Sequence, residues 1–428
     1  MRVRRSLTNA ALLALAFAPF LPAAASAQNV AITNAKIIVG SGQVIDAGTI
    51  IVRDGKIATV TGGSVQIPRG LQVIDAKGLS AMPGFIDGHK HLADGPTGKA
   101  WMQSLLEAGY TTVLIGGGAA EANLALAKKI ASAEYNGPRV IPSGTVALRQ
   151  TPLEARMAVQ GLAQMGIKHT GEIGLTPEPA PPQAEIEVLK AIVDEAKKVG
   201  IQVNVHAVSS PAMTAAIDAG VTRLVHLPNK DWTSYEQAEA VAKAGAIVAG
   251  LIAFGAPNVD TLSQGPAPVQ WPKDNTPRFR DGKPWPEAIV GANRDAKGRA
   301  TGTEGGFTII NARRIWDADP NHTTISYSTD QNADDLVVLE HELKSFSIVF
   351  SMADIHRIIG ANAARFVGMA DQIGTLEAGQ LADILLLDGD PTKNIYEMLK
   401  TKVVLKEGKI VVDKRAAAAA GRSAQSNR

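Results

Sequence analysis

The chain has 428 residues, of which 45% are hydrophobic and 20% charged, and its formal net charge is +2. This length allows one large α/β domain and a smaller second one, while the near-neutral charge does not indicate nucleic acid or a charged membrane surface as a partner. The chain has no cysteine, which excludes disulfides and thiolate chemistry.

Residues 1–27 have the pattern of a secretory signal peptide. A head with three arginines precedes an apolar run over residues 10–24, and Ala25-Ser26-Ala27 supplies an A-x-A cleavage site. The apolar run is short for a membrane span. We therefore expect cleavage near Ala27, export to the periplasm or the medium, and no membrane attachment afterwards.

Residues 28–81 and 374–415, near the two ends of the chain, are rich in short strands and tight turns. Asp54-Gly55 and Glu407-Gly408 each separate two apolar runs, and an Asp-Gly pair in this position is a strong hairpin signal. We expect the two ranges to form one composite β-sandwich domain. Residues 416–428 are rich in alanine at their start and are expected to form a disordered tail.

Residues 82–373 alternate apolar strands with helical patterns, which indicates βα units with parallel strands. Eight strand candidates end near residues 91, 116, 145, 172, 206, 226, 254 and 330. The expected fold class is therefore α/β, a (β/α)8 TIM barrel.

The alternation is interrupted over residues 257–322, which are rich in Pro, Gly, Asn and Arg and include Trp271 and Trp285. A connection this long within a compact domain is usually functional or disordered. It lies between predicted strands seven and eight, on the side where barrel enzymes bind substrate. We expect a lid-like insertion, with a surface excursion or an oligomer contact as the alternatives.

A His-x-His pair ends the first barrel strand, in the segment MPGFIDGHKH over residues 82–91. Residues i and i+2 of a strand point to the same face, so His89 and His91 can hold one metal ion with their imidazole nitrogens. The alternative is a chance pair of surface histidines. That alternative is weakened by further ligand types at the ends of later strands.

Four more candidate ligands fall at the ends of predicted strands four, five, six and eight. They are Glu172, His206, His226 and Asp330. Catalytic groups of barrel enzymes come from the carboxyl ends of several strands. A single His or Asp after an apolar strand is more often a cap or a buried hydrogen-bonding residue, but six such residues in one chain indicate a metal centre.

The order His-x-His, Glu, His, His, Asp resembles the binuclear branch of the amidohydrolase superfamily. Residues 361–365 resemble the family's Asn-Pro-Ala helix, and residues 373–383 resemble its return into the small domain. The resemblance implies two divalent metal ions, with zinc expected and iron, manganese or cobalt as alternatives. It assigns His89, His91 and Asp330 to one ion, and His206 and His226 to the other.

The bridging ligand is expected on strand four, where members of the family carry either a carboxylated lysine or a glutamate. This chain offers both Lys168 and Glu172. At ~3.3 Å per residue, Lys168 lies about 13 Å below Glu172 along the strand. Glu172 is therefore the expected bridge, as in enamidase-like members of the family, and a carboxylated Lys168 is the alternative.

The remaining histidines and one lysine are expected to lie outside the site. His169 differs from Glu172 by an odd number of positions and points to the opposite face of the strand. Lys90 faces away from its two neighbours and is interpreted as structural. His341 and His356 lie on predicted late helices, and His322 precedes strand eight.

The resemblance implies an enzyme that hydrolyses a C–N bond of an amide or cyclic amide in a small-molecule substrate. A hydroxide bridging the two ions would attack the carbonyl, and Asp330 would move the proton to the leaving nitrogen. The alternatives are a mononuclear deaminase of a heterocycle, a dipeptidase or N-acyl amino acid hydrolase, and a non-catalytic binding protein. Nucleic acid is not an expected partner, and a homo-oligomer is left open.

Overall fold

The computed structural model describes residues 28–252, 303–330 and 334–415. The expected signal peptide, the predicted insertion up to residue 302 with its two tryptophans, and the expected tail lie outside the described residues. None of the described helices is long and apolar enough to cross a membrane.

The described elements follow one another along the chain as the sequence pattern predicts, with strands at both ends and alternating strands and helices between them. The strands are β1 (Val30–Ile38), β2 (Val44–Arg53), β3 (Lys56–Gly62), β4 (Gln72–Asp75), β5 (Leu79–Pro83), β6 (Phe85–Lys90), β7 (Tyr110–Ile115), β8 (Arg139–Ile141), β9 (Ser143–Gly144), β10 (His169–Gly174), β11 (Gln202–His206), β12 (Arg223–Val225), β13 (Ile247–Gly250), β14 (Ile325–Tyr327), β15 (Ile384–Asp388), β16 (Thr401–Lys406) and β17 (Lys409–Asp413). The helices are α1 (Gly95–Ala108), α2 (Ala120–Ala131), α3 (Pro152–Gln164), α4 (Gln183–Val199), α5 (Ser210–Asp218), α6 (Tyr235–Lys243), α7 (Thr303–Ala318), α8 (Asp335–Val349), α9 (Met352–Arg357) and α10 (Ala363–Phe366), with a π-helical turn over Ile358–Asn362 and a 3-10 helix over Ile395–Leu399.

Strands from both ends of the described chain form one eight-stranded sheet. Its order is β17-β16-β15-β5-β1-β2-β3, and β4 also pairs with β1. The two predicted hairpins are confirmed: Asp54-Gly55 joins β2 to β3, and Glu407-Gly408 joins β16 to β17. All four turn residues have positive φ, as a two-residue turn that follows the strand twist requires.

Both faces of this terminal sheet are covered by apolar side chains. Along β15, Ile384 and Leu386 belong to a core shared with β1 and β2, whereas Leu385 and Leu387 belong to the larger core of the middle part. This follows from the two-residue period of a strand. The sheet therefore packs against the middle part through one face, and a sandwich of two sheets stays a prediction.

The middle part consists of parallel strands in two arcs. One arc is β6-β7-β8, and the other runs from β9 to β14 in chain order. The arcs approach each other where β14 contacts β6. The eight strand ends lie within four residues of the predicted positions, so the carboxyl ends that carry the candidate ligands are where the sequence predicts them.

Part of the stretch that was expected to be irregular through residue 322 is helical. Residues 303–318 form α7, which buries Ile309, Ile310, Ile315 and Trp316 in the larger core. Two consecutive glycines near the start of this helix lower its helix propensity, which obscures the pattern in the sequence. The prediction of an insertion is therefore wrong for residues 303–318, which belong to the packed wall around the parallel strands.

Candidate metal centre

The structure brings all six candidate ligands together at the carboxyl ends of the parallel strands. His89 lies near the end of β6, and His91 directly follows that strand. The other four are Glu172 in β10, His206 at the end of β11, His226 directly after β12, and Asp330 three residues after β14. Because parallel strands end at the same edge, residues far apart in sequence face one another there.

The carboxylate of Glu172 approaches all four histidines. Its Oε2 lies 2.8 Å from Nδ1 of His206 and 3.5 Å from Nε2 of His226. The same oxygen lies 3.7 Å from Nε2 of His89, while Oε1 lies 3.2 Å from Nε2 of His91. Glu172 therefore lies within 3.7 Å of all four histidines.

Asp330 faces three of these four histidines. Its Oδ1 lies 3.5 Å from Nε2 of His89 and 3.4 Å from Nε2 of His91. Its Oδ2 lies 3.6 Å from Nε2 of His226. These separations are too long for good hydrogen bonds. They match the spacing of ligand atoms around a four-coordinate zinc, which at ~2.1 Å from the ion lie about 3.4 Å apart.

Ligand atoms within 4.8 Å of one another form three overlapping groups of three. The groups are His89-His91-Glu172, His89-His226-Asp330 and Glu172-His206-His226. The first and third share Glu172, as two neighbouring ions with a common ligand would require. The second differs from the expected assignment, because it places Asp330 beside His226 as well as beside the His-x-His pair.

One buried nitrogen of the cluster is without a hydrogen-bond partner in the described part of the chain, as a metal ligand would be. The Nε2 atom of His89 is buried and has no hydrogen-bond partner among the described residues. A buried polar atom without a partner is costly. A divalent cation fits this set of imidazole and carboxylate donors, because each donates a lone pair that a cation accepts.

The charges of the cluster are strongly coupled. Burial lowers the pKa of His89, but the carboxylates of Asp330 and Glu172 raise it to about 9 overall. Burial raises the pKa of Glu172, but the four surrounding histidines bring it far below its usual range. A proton on His89 therefore compensates the carboxylates, and a metal ion that binds here would displace it.

Two of the candidate ligands have a left-handed backbone. The φ angle is 67° at His226 and 47° at Asp330. Residues other than glycine rarely adopt positive φ, although His and Asp do so more often than most. His226 directly follows β12, and Asp330 lies three residues beyond β14. Strained backbone of this kind clusters at functional sites.

Glycines next to the histidines allow the close packing of the cluster. A Cβ atom on Gly116 would lie 2.5 Å from Cε1 of His89, and one on Gly171 would lie 2.9 Å from the Cα atom of Gly117. These glycines were not predicted to be functional. The run of three glycines directly after β7, over residues 116–118, is the signal that could have identified them.

The residues expected to lie outside the site do lie outside it. Lys168 precedes β10 and is exposed, so it lies at the opposite end of this strand from Glu172. The ring of His169 is buried, with Nε2 3.1 Å from the carbonyl oxygen of Val367. His322 precedes β14 and stacks on Trp316, with 4.7 Å between ring centroids.

A family model described as "Amidohydrolase family" matches residues 80–248 and 306–411. Among curated proteins, the chain is 31% identical over 164 residues to an enamidase of Eubacterium barkeri, and this alignment covers 33% of the chain and 42% of the enamidase. The chain is also 38% identical over 87 residues to a dihydroorotase of Elusimicrobium minutum, and this alignment covers 19% of the chain and 20% of the dihydroorotase. The chain thus spans less than half the length of either relative.

Solved structures agree in fold over nearly the whole chain. A Xaa-Pro dipeptidase with bound methionine has a TM-score of 0.70 at 19% identity, covering 90% of this chain and 99% of that one. An ochratoxinase of A. niger has a TM-score of 0.67 at 18% identity, covering 91% and 97%. At this identity the likeness establishes the fold alone, a TIM barrel with an additional domain. The family model matches more than half of the residues of this chain, and the chain therefore belongs to the amidohydrolase family.

Proposed function

We propose that the protein is a metal-dependent hydrolase that cleaves the C–N bond of an amide or a cyclic amide. One observation carries this proposal: six residues from five strand ends converge, and the carboxylate of Glu172 approaches all four histidines within 3.7 Å. Membership of the amidohydrolase family and similarity to proteins named enamidase and dihydroorotase support it.

The proposed centre would hold two divalent ions, with Glu172 as the ligand available to both. His89 and His91 would bind one ion together with Asp330, and His206 and His226 would bind the other. Overlap of two ligand groups at Glu172 supports the shared ligand, and the distances of 3.5 and 3.4 Å from Oδ1 of Asp330 to Nε2 of His89 and His91 support the place of Asp330 with that pair. Zinc is the proposed metal, because imidazole nitrogens and carboxylate oxygens are common zinc ligands.

Asp330 is the proposed proton carrier. When bound, the two ions would lower the pKa of a shared water and polarise the scissile carbonyl. Burial raises the pKa of Asp330, but His89 and His226 lower it overall, so the carboxylate is ionised and accepts a proton from the attacking water. As the new C–O bond forms and the C–N bond breaks, the same carboxylate gives this proton to the leaving nitrogen.

The finer architecture belongs to the same proposal. We propose that the two arcs of parallel strands close into one (β/α)8 barrel over residues 82–373. The contact between β14 and β6 supports closure. We further propose that residues 28–81 and 374–415 form one composite β-sandwich domain, which is supported by the eight-stranded sheet that they share.

Export is proposed from residues 1–27 and is tested separately. Their basic head, apolar run and A-x-A site support cleavage near Ala27. Expression of the full chain followed by cell fractionation and amino-terminal sequencing should give a periplasmic or secreted protein beginning near Gln28. A cytoplasmic protein with an intact amino terminus would contradict the proposal.

Elemental analysis and a hydrolysis screen test the proposed chemistry. Metal-stripped protein is loaded with Zn²⁺ and assayed on linear amides, cyclic amides, dipeptides, N-acyl amino acids and aminated heterocycles, with the Glu172→Gln variant as a matched control. We expect two ions per chain and hydrolysis of an amide or cyclic amide that the variant lacks. One ion per chain with ammonia release from a heterocycle would favour the deaminase instead, and no turnover in any class would overturn the proposal.

A further inference from the structure

A buried lysine lies directly behind the candidate metal centre. Lys90 stands between His89 and His91 in the sequence, and its side chain has no exposed surface. Its Nζ atom lies 3.0 Å from Oγ1 of Thr329 and 3.2 Å from Oδ1 of Asp335. Burying an ammonium group is costly unless it is paired and hydrogen-bonded, so these contacts determine where the side chain lies.

The partners of Lys90 are connected to the candidate ligands through the backbone. Thr329 directly precedes Asp330, and its hydroxyl donates to Oδ2 of Asp87 at 2.5 Å. The other oxygen of Asp87 accepts two backbone hydrogen bonds of 3.1 Å, from the amides of Thr329 and His89. One buried carboxylate therefore ties the backbone of the His-x-His strand to the residue before Asp330.

Asp335 extends these contacts to helix α8. Its Oδ2 accepts a hydrogen bond from Nε1 of Trp101 at 3.1 Å, and the ammonium of Lys90 lies 5.4 Å from the centroid of the Trp101 ring. Asp335 is the first residue of α8, which begins shortly after Asp330. Lys90 thus contacts both sides of the segment that carries Asp330: Thr329 before it and Asp335 after it.

We propose that Lys90 is a positioning residue that acts through Thr329, Asp87 and Asp335 to hold Asp330 against His89 and His91. This inference rests on the proposed function, because it takes these three residues as metal ligands. A lysine that served only to join β6 to α8 would affect the stability of the fold, but not the affinity of the folded protein for metal. The two roles are therefore separable by measurement.

The test compares zinc affinity with stability in four variants. Lys90→Met removes the ammonium and keeps the apolar stem, Thr329→Val removes the hydroxyl, and Thr329→Ser retains it. Arg139→Met is the matched control, because Arg139 forms a largely buried ion pair with Asp383 at 2.8 Å, outside the candidate centre. Zinc affinity of the metal-stripped proteins is measured by competition with a chelating dye, and stability by denaturant unfolding.

We expect Lys90→Met and Thr329→Val to weaken zinc binding by about 10-fold to 100-fold, the usual effect of removing groups that orient metal ligands. Thr329→Ser should bind zinc nearly as the wild type does, and Arg139→Met should lose stability but retain zinc affinity. Wild-type zinc affinity in folded Lys90→Met and Thr329→Val would overturn the inference. If Lys90→Met does not fold, the zinc affinities of Thr329→Val and Thr329→Ser test the inference, and equal affinities would overturn it.

Failure of the proposed function gives a different result from failure of this inference. If the wild-type protein itself binds no zinc and no manganese, the proposed metal centre is wrong. If the wild type binds metal and the variants bind it equally well, only the positioning role of Lys90 is wrong.

Discussion

The backbone amide of Asp330 donates a 2.9 Å hydrogen bond to the backbone carbonyl of His89. His89 lies near the end of β6, the first parallel strand, and Asp330 follows β14, the last one. Together with the hydrogen bonds from Thr329 to Asp87, this bond joins the first and last of the described parallel strands at the candidate metal centre. As a result, the Asp330 carboxylate lies 3.5 Å from Nε2 of His89.

Replacement of Asp330 by asparagine should remove the proton carrier while keeping the shape of the side chain. We expect kcat to fall by on the order of 10²-fold or more, the usual contribution of a general acid–base group, with much of the metal retained. Steady-state kinetics and elemental analysis measure both effects. Asp334→Asn, at an exposed position nearby, is the control, and a nearly wild-type kcat in Asp330→Asn would show that another group moves the proton.

Replacement of Glu172 by glutamine should release metal, because the amide is a weaker ligand for the shared position than a carboxylate. We expect fewer than two ions per chain after dialysis and little residual activity. Lys168→Met, directly before the same strand, is the matched comparison, and its metal content should equal that of the wild type. Metal loss in Lys168→Met but not in Glu172→Gln would identify a carboxylated lysine as the bridge.

A methyl group at Gly116 should disturb the His-x-His pair. Its Cβ atom would lie 2.5 Å from Cε1 of His89, so the imidazole would have to move away from its present position. We expect Gly116→Ala to bind Zn²⁺ at least 10-fold more weakly, in line with other losses of ligand orientation. The control is Gly161→Ala in α3, where the added atom meets nothing within 4 Å, and which should be stabilised by about 0.5–1 kcal/mol. Equal zinc affinity in both variants would contradict the prediction.

Stability should fall in mild acid because of a buried neutral histidine outside the metal centre. Burial and the nearby charge of Arg223 lower the pKa of His169 from 6.5 to about 3. At pH values between these two pKa values, His169 binds a proton in the unfolded chain but not in the folded protein. The free energy of unfolding therefore decreases as the pH falls from 6.5 towards 3.

The His169→Gln variant tests this contribution, because glutamine can still donate to the carbonyl oxygen of Val367 but does not titrate. The stability of the wild type should decrease more steeply below pH 6.5 than that of the variant, by up to about 1.4 kcal/mol per pH unit. Denaturant unfolding at several pH values between 7 and 5 measures the difference. The metal cluster is common to both proteins, so its own titration cancels. Parallel curves would show that folding does not lower the pKa of His169.

Features that depend on local geometry were predictable from the sequence. The His-x-His pair, the positions of the strand ends and the two hairpins all follow from the two-residue period of a strand and from the turn preferences of a few residue types. The order of the six candidate ligands also lies in the sequence. The parallel arrangement then requires that residues at the carboxyl ends of strands face one another.

Contacts between distant segments were decided only by the tertiary structure. Local periodicity gives no sign that Lys90 would pair with Thr329 and Asp335, because the three residues are joined only when the first and last parallel strands meet. The close approach of Gly116 to the ring of His89 has the same origin. Helix α7 likewise has a glycine-rich start, which lowers its helix propensity. Burial of the helix against the strands outweighs this low propensity, and burial is a property of the folded chain.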